Sequence, residues 1–372
     1  MINKKTIVIS AVNFSREVGG AYSVLKECLD YVSTSGLTEK YRFVTILHSE
    51  DACPHNNVEC ITFPKAKQRW IYRLYYEYVY FYRISKRLKP ELWLSLHDIT
   101  PNVIAKRHAV YMHNTSPFYK LRLKDFKLDW NMSLMTLFYK YLYRINIHKN
   151  NYLIVQQDWI RNAFSKMFNV DKNKIIVAYP KQNSLKNNIK SNKKSNITHF
   201  FYPSVPRIFK NFEIVCEAVK ILNDKRVEDF EVTLTINEEN TDNYSKMILK
   251  KYNDIKHINF VGLLPHNKMD EEYERTDCLI FPSKSETWGL PISEFSHYDK
   301  PMLLADLPYS HTAASGCRQT AFFPCDNPNT LALQMLNIIN NDLSFLYPVE
   351  EKLIDEPFAD SWKNLFKILL EQ

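Results

Sequence analysis

Two glutamates, Glu286 and Glu294, are separated by seven residues in the segment Phe281-Pro-Ser-Lys-Ser-Glu-Thr-Trp-Gly-Leu-Pro-Ile-Ser-Glu294. The apolar run before Pro282 and the spacing after Gly289 read as a strand, a loop and a helix. The backbone N–H groups of Trp288, Gly289 and Leu290 then lie at a helix N-terminus, where unpaired donors and the helix dipole favour phosphate. Gly289 lets a ligand approach the main chain, and Thr287 lies in the same loop. Glu286 at the strand end and Glu294 one to two turns into the helix can both face the crevice at the carboxyl edge of a sheet. Carboxylates there accept hydrogen bonds from sugar hydroxyls. The spacing alone also arises by chance; the embedded Gly-Leu, the preceding strand and the Lys300-Pro301 that follows favour function.

Other residues stand out by local cost or rarity. Lys210 opens a helix, where a cation opposes the dipole; it is either a solvated surface residue or has a task there. The chain has 6 glycines in 372 residues, so Gly19-Gly20, after the first strand, either cap a turn or bring a ligand close to the backbone. His113 ends a strand-like run and is either a satisfied core histidine or a site residue. His97-Asp98 is a second strand-end pair. No Ser/His/Asp arrangement, Walker loop or metal-ligand cluster is legible along the chain.

The form Glu-x-x-Gly-Leu-x-x-x-Glu resembles the donor motif of family 4 retaining glycosyltransferases with the GT-B fold, glycosyl transferases group 1. Pro282-Ser283, Lys300-Pro301 and Phe260-Val261-Gly262 extend the resemblance over most of residues 197–340, and more loosely over the whole chain. It implies that Glu286 binds the transferred sugar and Glu294 the ribose of a UDP- or GDP-sugar. It also implies that Lys210 and Arg207, in Tyr202-Pro-Ser-Val-Pro-Arg-Ile-Phe-Lys-Asn-Phe-Glu213, neutralise the diphosphate as leaving-group charge grows; the family's Gly-Arg and Lys-Gly pairs are incomplete here. Gly19-Gly20 resembles the family's glycine loop. Val110-Tyr-Met-His113-Asn-Thr-Ser-Pro-Phe118 resembles the strand that carries its histidine near the reacting sugar.

The implied catalytic set is His113, Glu286, Lys210 and Arg207. The implied donor-binding set is Gly19, Gly20, Arg207, Lys210, Glu286, Thr287, Trp288, Gly289, Leu290 and Glu294. Asp-x-Asp, the usual metal-diphosphate clasp of the other large glycosyltransferase fold, is absent, so no metal and no cofactor is expected. The implied reaction moves a hexose, with retention, to a glycan or lipid-linked glycan in bacterial surface polysaccharide, O-antigen or capsule. Two alternatives stay open: a GT-B epimerase or hydrolase with water as acceptor, and a non-catalytic partner that keeps the fold.

Elements must position these residues. Apolar, β-branched runs at 6–11, 43–48, 58–63, 92–97, 109–113 and 152–156 alternate with helical stretches, the pattern of a parallel sheet covered by helices. Residues 181–196, KQNSLKNNIKSNKKSN, read as a linker. The alternation restarts with strands at 198–202, 231–236, 258–261, 278–281 and 302–305. The expected class is α/β, GT-B, with two Rossmann-like α/β domains facing a central cleft: 1–190 an acceptor domain, 191–355 a nucleotide-sugar donor domain. Residues 356–372 form a C-terminal helix, about 358–370, free to pack back on the N-terminal domain.

Composition bounds the rest. At 45% hydrophobic and 24% charged, the chain is globular, and its length suits two domains at roughly 150 residues each. Seven cysteines without a Cys-x-x-Cys pair argue for reduced core thiols rather than a disulfide framework or zinc knuckle. No apolar run reaches the roughly 18 to 20 residues of a membrane span and no signal-peptide pattern opens the chain, so a cytoplasmic protein is expected. The net charge of +8 comes without a nucleic-acid-binding signature. Residues 68–89, QRWIYRLYYEYVYFYRISKRLK, read as a core-facing helix with a basic outer stripe; alternatively Arg69, Arg73, Arg83, Lys86 and Arg87 rest on anionic lipid at the inner face of the cell membrane.

Overall fold

The computed structural model describes residues 4–14, 20–53, 55, 57–180 and 196–371. Gly19 and positions 181–195 of the expected linker lie outside the described residues. The chain forms two compact units. The first takes Met1–Pro117, Phe138–Lys181 and Ile354–Gln372; the second takes Phe118–Leu137 and Gln182–Leu353.

The first unit holds β1 (Lys5–Ser10), β2 (Tyr41–Leu47), β3 (Glu59–Thr62), β4 (Leu92–Ser95), β5 (Arg107–Tyr111), β6 (Tyr152–Val155) and β7 (Ile175–Ala178). The second holds β8 (Thr198–Tyr202), β9 (Phe230–Leu234), β10 (Ile258–Phe260), β11 (Cys278–Phe281), β12 (Met302–Ala305) and β13 (Thr320–Phe323). A two-residue β14 (Phe358–Ala359) returns to the first sheet beside β7. The sheets run β14-β7-β6-β5-β4-β1-β2-β3 and β10-β9-β8-β11-β12-β13, with parallel pairing throughout. Each therefore carries the doubly wound order, with a switch point between β1 and β4 in one and between β8 and β11 in the other.

The apolar runs become strands because both their faces are covered. In β1, Ile7 and Ile9 join a cluster with Leu25, Leu29 and Phe43, while Val8 packs on the opposite face with Val44, Ile46 and Trp93.

The structure departs from the sequence reading near the chain end. Residues 358–359 are strand, and the helix begins at Trp362, capped by Ser361 Oγ, which accepts from Asn364 N–H at 3.4 Å. Helix Trp362–Leu370 buries Leu365, Phe366 and Leu369 in the cluster of Ile7 and Ile9. β7 and β13, four residues each, were not read along the chain.

Candidate active site

In the second unit the loops after β8, β11 and β13 meet at the switch point. β8 runs into a 3-10 turn, Ile208–Lys210, and then Asn211 at φ 60 starts helix Phe212–Asp224. Asn211 Nδ2 donates to the carbonyls of Pro282 (3.2 Å) and Cys325 (2.9 Å), so one side chain ties all three loops. The Lys284 N–H donates to the Phe209 carbonyl at 2.7 Å, and the Tyr202 hydroxyl to the Lys210 carbonyl at 2.7 Å.

These bonds set Lys210 against Glu286. Nζ lies 2.5 Å from Oε1, and the two side chains are only 16% and 13% exposed. The Phe209 ring lies beside the ammonium, 5.4 Å from its centroid. Glu294 sits on helix Leu290–Ser296, where its Oε2 accepts from the Tyr273 hydroxyl at 2.8 Å. Burial first, and the Glu294 charge second, push the Tyr273 hydroxyl well above its ordinary range, so it stays a donor. Gly289 takes φ 95, and a Cβ there would lie 3.2 Å from Ile292 Cδ1. The Ile292 N–H is used by the Gly289 carbonyl at 2.9 Å and Pro291 has none, which leaves the amides of Gly289 and Leu290 as helix-start donors. Trp288 is buried, its Nε1 donating to Ser293 Oγ at 2.7 Å. Thr287 is half-buried in the same loop.

Arg207 stands apart from this group: it is exposed and makes no ion pair among the described residues. A cation that the sequence reading quoted but left unused, Lys284, is largely buried and paired in the same loop cluster. Lys284 Nζ is 3.4 Å from Glu213 Oε1, which is also 3.8 Å from Lys124 Nζ. Burial, aided by Lys124 and Arg122, lowers the Lys284 ammonium from its ordinary range despite Glu213. Glu213 is held from its other oxygen by the Tyr244 hydroxyl. The signal for Lys284 was its place two residues before Glu286.

In the first unit the second constellation lies at the β1/β4 switch point. His113 follows β5, and its main-chain N–H donates to Asp98 Oδ1 at 2.6 Å. Its ring stacks on Tyr111 with centroids 4.5 Å apart and meets Phe14 edge-on. Burial holds the imidazole below the usual histidine range, against the Asp98 charge and a hydrogen bond to the Leu96 carbonyl, which act to raise it. A neutral ring bonded to that carbonyl through Nδ1–H leaves Nε2 as a bare acceptor. Nε2 is buried with no partner among the described residues. Gly20 is the first residue of helix Gly20–Thr34.

One arrangement was hidden by sequence distance. Ser10 Oγ lies 3.0 Å from His97 Nε2, and His97 Nδ1 lies 3.1 Å from Glu77 Oε1, a serine–histidine–carboxylate series that the chain order does not suggest. All three residues are 0% exposed, so no substrate reaches the serine oxygen. Arg73, expected on the surface, is buried beside them.

Two doubly wound units, one holding a lysine–glutamate pair and the other a histidine with a bare nitrogen at its switch point, define a protein of the GT-B class. Residues 182–355 match the family described as Glycosyl transferases group 1. Among curated proteins, the O-antigen chain mannosyltransferase RfbU of Salmonella typhimurium (strain LT2) is 21% identical over 242 residues. That alignment spans 63% of this chain and 63% of the relative's length. Among solved structures, sucrose-phosphate synthase from Thermosynechococcus elongatus superposes with a TM-score of 0.67 at 13% identity, covering 92% of this chain and 91% of that one. The apo form of the lipopolysaccharide outer core galactosyltransferase WaaB gives 0.63 at 10% identity, covering 99% of both chains.

Proposed function

We propose that this chain is a retaining glycosyltransferase that moves a hexose from a UDP- or GDP-sugar to a glycan or lipid-linked glycan in bacterial surface polysaccharide synthesis. The observation that carries this reading is the Lys210–Glu286 pair at the switch point of the second sheet, inside the segment that matches the family. The mannosyl and galactosyl activities in the names of RfbU and WaaB support a hexose and a surface-glycan setting.

In this reading an incoming diphosphate draws Lys210 away from Glu286. The freed carboxylate takes a hydroxyl of the sugar, and Glu294, oriented by Tyr273, takes the ribose. The bond from the anomeric carbon to the diphosphate breaks while Lys210, with Lys284 and Arg207 as further cations, stabilises the growing negative charge; no metal takes part. The acceptor hydroxyl bonds to the anomeric carbon on the same face and passes its proton to the departing phosphate oxygen. In the first unit, His113 Nε2, an acceptor with no partner among the described residues, is available to a sugar hydroxyl.

The test is a thermal-shift panel of UDP, GDP and their sugar derivatives on wild type and Glu294→Ala, with and without EDTA. A ligand at ~100 times its Kd stabilises by about 2.7 kcal/mol. One nucleotide class should shift wild type, lose its effect on the variant and ignore EDTA; no shift from any of them refutes a donor site.

Peripheral membrane contact belongs to the same proposal. No helix among the described residues is long and apolar enough to cross a membrane. Trp70, Ile71, Tyr72, Tyr75 and Tyr82 are exposed, interleaved in sequence with exposed Arg69, Arg83, Lys86 and Arg87. Such a mixture suits anionic headgroups at an interface. Wild type should bind vesicles containing phosphatidylglycerol, and replacing the four cations with Glu should abolish binding; wild type that ignores these vesicles removes the membrane contact.

A further inference from the structure

The Tyr-rich stretch at 70–88 carries two buried ionisable groups that the proposed chemistry leaves unused. Glu77 is fully buried in the π-helical turn Tyr76–Tyr80, and Arg73, one turn earlier, is 5% exposed. Glu77 Oε1 lies 3.1 Å from His97 Nδ1 and 3.8 Å from Arg73 Nε without a hydrogen bond to either, and Arg73 Nη2 lies 3.3 Å from the same His97 Nδ1. Arg73 Nη2 donates to the His97 carbonyl at 2.8 Å. A buried pair of ionisable groups is weak evidence for stability, because apolar residues of similar volume often serve as well. What this pair fixes is a position.

The position is that of a strained turn. Asp98 takes φ 70, and the Ile99 N–H donates to the His97 carbonyl at 2.8 Å, closing a three-residue turn of a rare and strained kind. Arg73 therefore grips the same carbonyl that closes the turn. The Asp98 carboxylate accepts from the His113 N–H at 2.6 Å and from the Tyr139 and Tyr143 hydroxyls at 3.2 Å each. Ser10 holds the far side of the His97 ring. Both π-helical turns and strained non-glycine residues concentrate at functional sites.

We infer that Arg73 and Glu77 are positioning residues for His113. They hold His97 in one orientation, His97 holds the Asp98 turn, and the Asp98 carboxylate fixes the main chain that presents His113 Nε2. The kinetic consequence rests on the transferase reading; the positioning itself is measurable without it.

The experiment uses the full chain with Glu77→Ala, Glu77→Gln, Arg73→Met, Asp98→Asn and Asp98→Gly. Glycine adopts a positive φ without strain, so Asp98→Gly keeps the turn and removes the carboxylate; asparagine tolerates the same φ and keeps an acceptor oxygen. Histidine side-chain NMR reports the His113 ring, and turnover is followed as nucleoside diphosphate released from UDP-glucose or GDP-mannose. Glu77→Ala, Arg73→Met and Asp98→Gly should move the His113 resonances and lower kcat at least tenfold, with KM for the donor within twofold. Glu77→Gln and Asp98→Asn should recover most of the loss. Unmoved His113 resonances in folded Glu77→Ala or Arg73→Met overturn the proposal, as does a full-rate enzyme. Should wild type consume neither sugar nucleotide, the transferase reading loses its support, and the His113 resonances still decide the positioning.

Discussion

Glu77 shows how one side chain links packing to pH. Burial pushes its carboxyl up to about 8, with Arg73 pulling the other way. Arg73, His97, Tyr78 and Ser10 face it or its partners, and burial holds His97 well below its usual range. A carboxyl whose folded pKa lies above its unfolded value of 4.5 keeps its proton longer in the folded state. Its contribution to stability is therefore fully present below 4.5 and is lost as pH rises toward about 8. Glu77→Gln is neutral at every pH. Thermal midpoints from mildly acidic to mildly alkaline buffer should show wild type losing stability relative to the variant as pH rises; parallel profiles would contradict a neutral Glu77. Depressed His97 and His113 act in the opposite sense at the acid end, in both proteins alike, which is why the comparison is made between variants.

At the scale of elements, the second site depends on loops being held together rather than on any one strand. Asn211 does this while occupying φ 60. Asn211→Ala leaves the Pro282 and Cys325 carbonyls without that donor and adds strain at a left-handed position, together on the order of 2–4 kcal/mol. Asn211→Gly removes the same bonds without the strain. Urea unfolding should rank wild type above Asn211→Gly above Asn211→Ala, and nucleotide binding should weaken in both variants. Equal stability of all three would mean that the loops are held by the Lys284 and Tyr202 bonds alone.

For the whole molecule, the chain does not divide by simple sequence order. Phe118–Leu137 groups with the second unit, while Ile354–Gln372 returns to the first. The returning segment adds β14 to an otherwise bare edge and seats three apolar side chains in the first core. The Arg107 guanidinium donates to the Leu369 carbonyl at 2.8 Å, fixing the end of the last helix. Leu369 is fully buried, so Leu369→Ala should destabilise the first unit by about 2–5 kcal/mol. Denaturant unfolding checks this directly. A loss below ~1 kcal/mol would mean that the helix is dispensable to that core.

The sequence by itself determined the alternation of strand and helix, the Rossmann-like class and the Glu286–Glu294 segment as a candidate site. These rest on local signals: apolar runs of strand length, turn residues, and a glutamate pair in register with one strand–loop–helix unit. It also marked Lys210 and His113, each at the end of an element. Tertiary structure alone decided what those residues meet. Lys210 reaches Glu286 across 76 positions, and Asp98 reaches Tyr143 across 45. It likewise showed that Arg73 lies inside, that Lys284 joins the cations and that Arg207 stands apart. Such outcomes depend on which sheet edge each loop reaches and which side chains burial forces into pairs. Those are properties of strand order and packing, which no local period in the chain encodes.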